Sequence, residues 1–136
     1  MRLSLQARRD VEHHGRETYP AECCGFLIGR RHAEGAAHRV HRLENVHPSD
    51  RRHRYAIDPL AWLRVERELS PAEAVVAVYH SHPDRPPVPS EADREAADPG
   101  LSYVIVSLRR GEVDAMRAWR LCSRRRMFDE ESVDVL

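Results

Sequence analysis

The stretch that decides the fold is residues 75–93, which read VVAVYHSHPDRPPVPSEAD. Its first five residues are uniformly apolar, and a short run of this kind is typical of a strand that is buried on both faces. The four prolines between residues 83 and 89 predict a stiff loop. Ser90 and Asp93 have the spacing of a capping box, with Asp in place of Glu, so a helix is predicted to begin at Ser90.

Two histidines, His80 and His82, follow the apolar run. Side chains two apart on a strand point the same way, so both imidazoles can share one tetrahedral metal ion. Asp93 would be a third ligand if the proline loop returns the chain toward the end of the strand. Two histidines and one aspartate leave a position open, which is typical of a catalytic zinc site. The same residues also fit a plain helix cap and two ordinary histidines.

Helices and strands alternate along the rest of the chain. An amphipathic helix is predicted over 3–17, with Leu3, Ala7, Val11 and His14 on its apolar face. A second helix is predicted from Asp58 to Leu69, with Leu60, Leu63 and part of Trp62 facing the core. Strands are predicted at 23–29, 38–46, 54–57, 74–80, 103–106 and 113–121, with a weak one over 127–135. The pattern predicts a single α/β domain over residues 1–136, with a mixed sheet flanked by helices.

Composition excludes several classes of protein. The chain has 22 basic residues, all arginine, and 22 acidic ones, and its zero net charge argues against nucleic acid as a partner. No apolar run reaches the ~18 residues of a transmembrane helix. The N-terminus lacks the apolar segment of a signal peptide, so the expected location is the cytoplasm.

Other cysteine, histidine and glutamate side chains are also candidates for a metal ligand or a general base. Cys23 and Cys24 are interpreted as packing residues, because a deaminase-type zinc site would require H-x-E and P-C-x-x-C. No disulfide is expected among these two and Cys122. The remaining histidines are assigned to solvated surface: His13, His14, His32, His38, His41, His47 and His53. Glu22, at the head of a strand, is the candidate general base, although Glu17, Glu34 and Glu44 compete on spacing alone.

The segment from His80 to Asp93 resembles the JAMM signature of the MPN+ zinc metalloprotease family, in its short prokaryotic form. Pro20 to Gly29 is similar to the upstream segment of that family, which carries its catalytic glutamate. Further similarity lies at Asn45, 54–59, 103–106 and 118–119. The resemblance implies a cytidine deaminase-like fold and one zinc ion per chain, held by His80, His82 and Asp93. It also implies that Glu22 is the acid/base and that Ser90 stabilises the oxyanion.

The resemblance further implies an isopeptidase or peptidase that acts at the C-terminal Gly-Gly tail of a ubiquitin-like or sulfur-carrier protein. Such a tail would add a strand to a sheet edge. The expected surface is the loop 47–56 with its edge strand, where Arg51, Arg52 and Arg54 would meet an acidic carrier. Two other functions remain open: a non-catalytic MPN scaffold, which would lack the ligands, and a DNA-repair-associated protein of the RadC type, which shares a similar His-x-His run.

Overall fold

The structure is a computed structural model that describes residues 1–33 and 35–136. Its helices are α1 (Leu5–Thr18), α2 (Pro59–Glu68) and α3 (Glu91–Ala96). Its strands are β1 (Arg2–Leu3), β2 (Cys24–Arg30), β3 (Ala36–Ala37), β4 (Arg39–Leu43), β5 (Glu73–Pro83), β6 (Ser102–Arg109), β7 (Glu112–Cys122), β8 (Met127–Glu131) and β9 (Asp134–Val135). Glu34, one of the carboxylates that competed with Glu22, lies outside the described residues. Over the described ranges, no helix combines the length and apolar character needed to span a membrane.

A six-stranded mixed sheet forms the frame, in the order β4-β2-β5-β6-β7-β8. Strand β5 is parallel to β6, and the other neighbouring strands are antiparallel. The predicted α/β fold class with a mixed sheet is confirmed, and β2 and β4, like β6 and β7, pair as antiparallel neighbours. A second sheet, β3-β1-β9, was not predicted, because strands of two residues carry no periodic signal.

The central strand β5 is covered on both faces, as its apolar run predicts. On one face, Ala7 and Val11 of α1 belong to the same buried cluster as Tyr79. On the other face, Val65 of α2 belongs to a cluster with Val78. Burying each large apolar side chain contributes about 1.5–3 kcal/mol, so this double burial fixes which residues of β5 face which layer. The polar end of the strand is thereby fixed as well.

Helix α1 begins after Ser4, whose Oγ accepts a hydrogen bond from the backbone N–H of Ala7. The sequence placed His14 both on the apolar face of this helix and among the surface histidines. The first placement is confirmed and the second was wrong, because His14 lies on the buried face of α1. Its Nδ1 lies 2.7 Å from the hydroxyl of Tyr79. Burial lowers the pKa of His14 to about 4, so its imidazole is neutral at pH 7.

The predicted buried face of α2 was wrong for Leu60 and Leu63 and is confirmed for Trp62, which is partly buried. Leu60 and Leu63 are 64% and 51% exposed, whereas Val65 is buried and Trp62 packs edge-on against Phe26. Leu60–Leu63 and Trp62–Val65 each have the i, i+3 spacing of a helix face, so periodicity alone does not distinguish them. Packing of the Trp62 face on the sheet leaves the two leucines at the surface.

The predicted edge strand at 54–57 is absent from the structure, which shows an extended segment without ladder pairing there. One backbone bond, from the N–H of Val46 to the carbonyl oxygen of Ala56 at 3.0 Å, and the side chain of Asn45 hold this segment. The Nδ2 of this side chain donates to the carbonyl oxygens of Arg54 and Glu22, each at 3.0 Å, and its Oδ1 accepts from the N–H of Ala56 at 3.1 Å. One amide therefore joins this loop to the backbone at the head of β2.

Candidate metal centre

His80 and His82 project from the same face of β5, as strand alternation predicts. Both are almost fully buried, and their Nε2 atoms lie 3.1 Å apart. His80 is in register with Cys24 of β2 and Ile105 of β6, so the pair is held in the middle of the sheet. A pair on the central strand is positioned by the backbone ladder on both sides.

Asp93 is brought to this pair from the first turn of α3. Its Oδ2 lies 3.2 Å from Nε2 of His80 and 3.3 Å from Nε2 of His82. The same oxygen accepts the backbone N–H of Ser90 at 2.8 Å, while the N–H of Asp93 donates to Ser90 Oγ at 3.1 Å. The predicted capping box is therefore present, and the capping oxygen is also the one that faces the histidines.

Electrostatics at Asp93 favour its charged form. Burial opposes ionisation, but the charge of His80 when protonated, the polar contacts with both imidazoles and the N–H of Ser90 together hold the pKa of Asp93 well below its usual range. Burial lowers the pKa of His80, which favours a neutral ring. An ionised carboxylate beside a neutral imidazole is the protonation state that binds metal ions.

The orientation of each imidazole is set by a neighbour. The Nδ1–H of His82 donates to the carbonyl oxygen of Pro86 at 2.8 Å, which leaves the Nε2 lone pair directed at Asp93. His80 stacks on Tyr55 with a ring-centroid distance of 4.4 Å and an interplanar angle of 25°. These contacts turn the Nε2 atoms of both rings and one carboxylate oxygen toward a common point.

The spacing of these three atoms fits a metal ion. Zinc bonds of ~2.0–2.2 Å in a tetrahedron place neighbouring ligand atoms about 3.3–3.6 Å apart. The observed separations are 3.1, 3.2 and 3.3 Å. Acceptor atoms held this close repel one another unless a cation or proton lies between them.

Glu22 enters the same site from the head of β2. Its side chain is 1% exposed, and with His80 and His82 it forms a cluster, within 4.8 Å, that could hold a metal ion. Its Oε2 accepts a hydrogen bond from Nη2 of Arg85, whereas its Oε1 is buried without a hydrogen-bond partner. Burial raises the pKa of Glu22 to about 8, against the attraction of Arg85. A pKa near neutrality suits a group that takes up and returns a proton.

Ser81, between the two histidines, faces the other way and fastens β5 to β2. Its Oγ accepts the N–H of Cys23 at 2.8 Å, and its own N–H donates to the carbonyl oxygen of Cys23 at 3.1 Å. These bonds set Glu22, the preceding residue, beside the histidines. Cys23 itself is buried and unpaired, and burial raises its pKa to about 11, in agreement with a packing role.

Sequence reasoning missed Arg85 and Tyr55. Arg85 lies inside the quoted motif, and a lone cation in a proline loop was its only signal. Tyr55 lies in the segment that was predicted as an edge strand. Both contact site residues that come from other elements, so their roles depend on the tertiary fold.

An apolar groove opens beside Asp93, with a volume of about 790 Å³. It runs between the 54–59 segment, the exposed side of α2, and α3. Its apolar lining comes from Tyr55, Ala56, Ile57, Pro59, Trp62, Leu63, Val78, Ala92, Ala96 and Tyr103. Because Asp93 also lines it, a molecule in the groove would contact the carboxylate that lies beside the two histidines.

Comparison with known families agrees with this geometry. Residues 5–122 match the family described as prokaryotic homologs of the JAB domain, so the chain belongs to that family. This confirms the resemblance to the JAMM/MPN+ proteins.

Two curated relatives and a solved structure are similar to the chain. The "Desampylase" of Haloferax volcanii is 37% identical over 111 residues, which cover 77% of this chain and 78% of that protein. The "Probable TtuB-protein conjugate cleaving protease" of Thermus thermophilus is 39% identical over 103 residues, which cover 75% of this chain and 63% of that protein. The solution structure of protein DSY2949 from Desulfitobacterium hafniense superposes with a TM-score of 0.83 at 28% identity, over 99% of this chain and 92% of that one.

Proposed function

We propose that this protein is a zinc-dependent isopeptidase or peptidase that cleaves an amide bond at the C-terminal Gly-Gly tail of a ubiquitin-like or sulfur-carrier protein. One observation carries the proposal: two imidazole nitrogens and one carboxylate oxygen lie 3.1–3.3 Å apart, with the buried carboxylate of Glu22 alongside. The named conjugate-cleaving relative supports a protein conjugate as the substrate. The intact site also weighs against the scaffold alternative.

In this proposal His80, His82 and Asp93 hold the zinc ion. Zinc bound there would supply Lewis-acid polarisation of a water molecule and of the scissile carbonyl. Glu22 takes the proton of the attacking water and returns it to the leaving amine. Its Oε1 is the oxygen available for this proton, because Oε2 is already paired with Arg85.

Two carboxylates compete for the ligand position, and we assign it to Asp93. Its Oδ2 has the tetrahedral spacing to both imidazoles. Glu22 also lies within 4.8 Å of them, but its Oε2 is already hydrogen-bonded to Arg85. Asp93 therefore supplies the charge that zinc needs, and Glu22 is left to move protons.

The groove beside Asp93 is the proposed site for the substrate tail. Its apolar walls suit an extended segment whose two glycines can approach the metal ligands without a side-chain clash. Since residues 54–57 are not an edge strand, the tail would lie against the loop and the exposed side of α2. The surface includes His47, Arg54 and Ala56 of the predicted 47–56 region and extends beyond it to Leu63.

Leu63→Asp tests the groove. Placing a charge on its wall is expected to raise KM for the carrier conjugate about tenfold or more, since the contact loses ~1.5 kcal/mol or more of apolar burial. Steady-state kinetics measure the change, and kcat should stay near the wild-type value. Leu5→Asp, at an exposed leucine of α1, is the matched control. Equal KM values for Leu63→Asp and the wild type would place the tail elsewhere.

Ser90→Ala separates two roles of one hydroxyl. Loss of the helix cap alone is expected to lower the free energy of unfolding by about 1 kcal/mol. If Ser90 also stabilises the oxyanion, kcat falls ~10²-fold or more in a protein that is still folded. Denaturant unfolding and turnover are measured on the same preparation. A stability loss with unchanged kcat would restrict Ser90 to capping.

One experiment tests the function as a whole. Zinc content is measured first, and a carrier protein is then supplied with its terminal Gly-Gly joined to a lysine side chain or to cysteine. Cleavage is expected to follow zinc content, to stop in chelator, and to return when one equivalent of zinc is restored. A folded, zinc-free protein that cleaves at the full rate would disprove the mechanism.

A further inference from the structure

We propose that Arg85 is a positioning residue for Glu22, one that holds the carboxylate of the base in line with the histidine pair. The inference rests on the proposed function of Glu22. It concerns a residue that touches neither the three ligand atoms nor the apolar groove in the described contacts.

The contact between Arg85 and Glu22 joins a partly exposed guanidinium to one oxygen of a buried carboxylate. The carboxylate of Glu22 is 1% exposed, whereas the side chain of Arg85 is 28% exposed. In the described part of the chain, Arg85 is the one side chain that hydrogen-bonds this carboxylate. Only one of the two carboxylate oxygens is fixed by the bond, and the other is left free for chemistry. A single bond from Nη2 thus sets the rotation of the carboxylate.

Arg85 can do this because the preceding residue is anchored. Asp84 adopts the left-handed conformation, with φ of 54°. Its Oδ1 accepts the N–H of Arg110 at 2.7 Å, its Oδ2 accepts the hydroxyl of Tyr19 at 2.6 Å, and its N–H donates to the carbonyl oxygen of Leu108 at 2.7 Å. These three bonds reach the residue after α1 and the β6–β7 hairpin, and they stabilise a backbone conformation that is otherwise unfavourable for aspartate.

The residues that follow Arg85 are anchored too. The carbonyl oxygen of Pro86 accepts Nδ1–H of His82, and that of Pro87 accepts the indole N–H of Trp119 at 3.0 Å. Residues 84–87 therefore form a rigid bracket in which consecutive residues orient the base and one of the metal-ligand histidines. Because the proline loop is stiff, the position of the Glu22 carboxylate relative to the His82 ring is held constant.

Arg85→Ala is expected to lower kcat about 10- to 100-fold, because a small misplacement of a reacting group costs up to ~10²-fold in rate. KM should change less than about twofold, and zinc content should stay at one per chain. Arg85→Lys, which keeps the charge without the planar fork, should recover part of the loss. Arg109→Ala is the matched control, since Arg109 also pairs with a carboxylate, Asp114, but is 77% exposed.

A second readout is independent of activity. In the zinc-free protein, the Nη–H resonances of Arg85 in NMR spectra should be distinct from those of exposed arginines, and Glu22→Ala, which removes the acceptor, should merge them. An Arg85→Ala enzyme with wild-type kcat, or one altered only in KM, would overturn the inference, as would Nη–H signals unchanged by Glu22→Ala. Absence of cleavage by the wild-type enzyme would instead count against the proposed function, and the NMR result would still decide the contact.

Discussion

Glu22→Gln is expected to keep one zinc ion per chain and to lose 10²–10⁴-fold in kcat, the contribution that a positioned general base makes. The substitution preserves the shape of the side chain and removes its ability to take a proton. Its amide oxygen can still accept the hydrogen bond from Arg85, so the bracket 84–87 has no reason to move. The loss should therefore lie in kcat rather than in KM.

The matched control is Glu91→Gln, a carboxylate in the first turn of α3 whose only described partner is Arg94. This variant should cleave like the wild type. Zinc is measured by elemental analysis on the same samples, because a metal-free Glu22→Gln protein would be inactive for a different reason. A zinc-loaded Glu22→Gln enzyme with unchanged turnover would show that Glu22 is not the base.

The fold was largely predictable because its main elements have strong local signals. The apolar run at the start of β5 marks the central strand, and Asp58-Pro59 and Ser90 mark helix starts through their caps. The errors arose where two apolar patterns compete. Leu60 and Leu63 could have faced the core as well as Trp62 and Val65, and only packing against Phe26 decides between them.

The prediction of an edge strand at 54–57 was wrong for a related reason. An extended apolar segment becomes a strand only if it pairs with a partner backbone over several residues. Here the backbone supplies one bond, from Val46 to Ala56, and the side chain of Asn45 supplies the others. His14 was missed because a single histidine on an amphipathic helix gives no sign of a buried hydroxyl partner such as Tyr79.

The proximity of the candidate site residues followed from strand and helix geometry only in part. His80 and His82 share a face by alternation, and Asp93 returns through a stiff loop. Glu22 lies 58 residues before His80, and its position depends on the antiparallel register of Cys24 with His80. The role of Arg85 could not be predicted from its own segment, since its partner, Glu22, lies at the head of β2. Long-range pairing is the information that a local pattern does not carry.

Asp93→Ala is expected to abolish stoichiometric zinc binding, with a loss of more than ~10²-fold in affinity. The wild-type protein should gain thermal stability when zinc is added, because a ligand that binds only the folded state stabilises it, and Asp93→Ala should gain none. Helix capping complicates this variant, since Asp93 also accepts the N–H of Ser90. Asp93→Asn keeps an acceptor for that bond but removes the charge, so it separates metal binding from capping.

Comparing variants of the two carboxylates, Asp93 and Glu22, decides which of them is the third zinc ligand. If Asp93 is the third ligand, Asp93→Asn binds zinc weakly while Glu22→Gln binds it fully. If the ligand set is instead the Glu22, His80 and His82 cluster, the order is reversed: Glu22→Gln loses zinc and Asp93→Asn keeps it. Competition with a chromophoric chelator measures both affinities. The reversed order would move Asp93 out of the metal centre and leave the mechanism without its base.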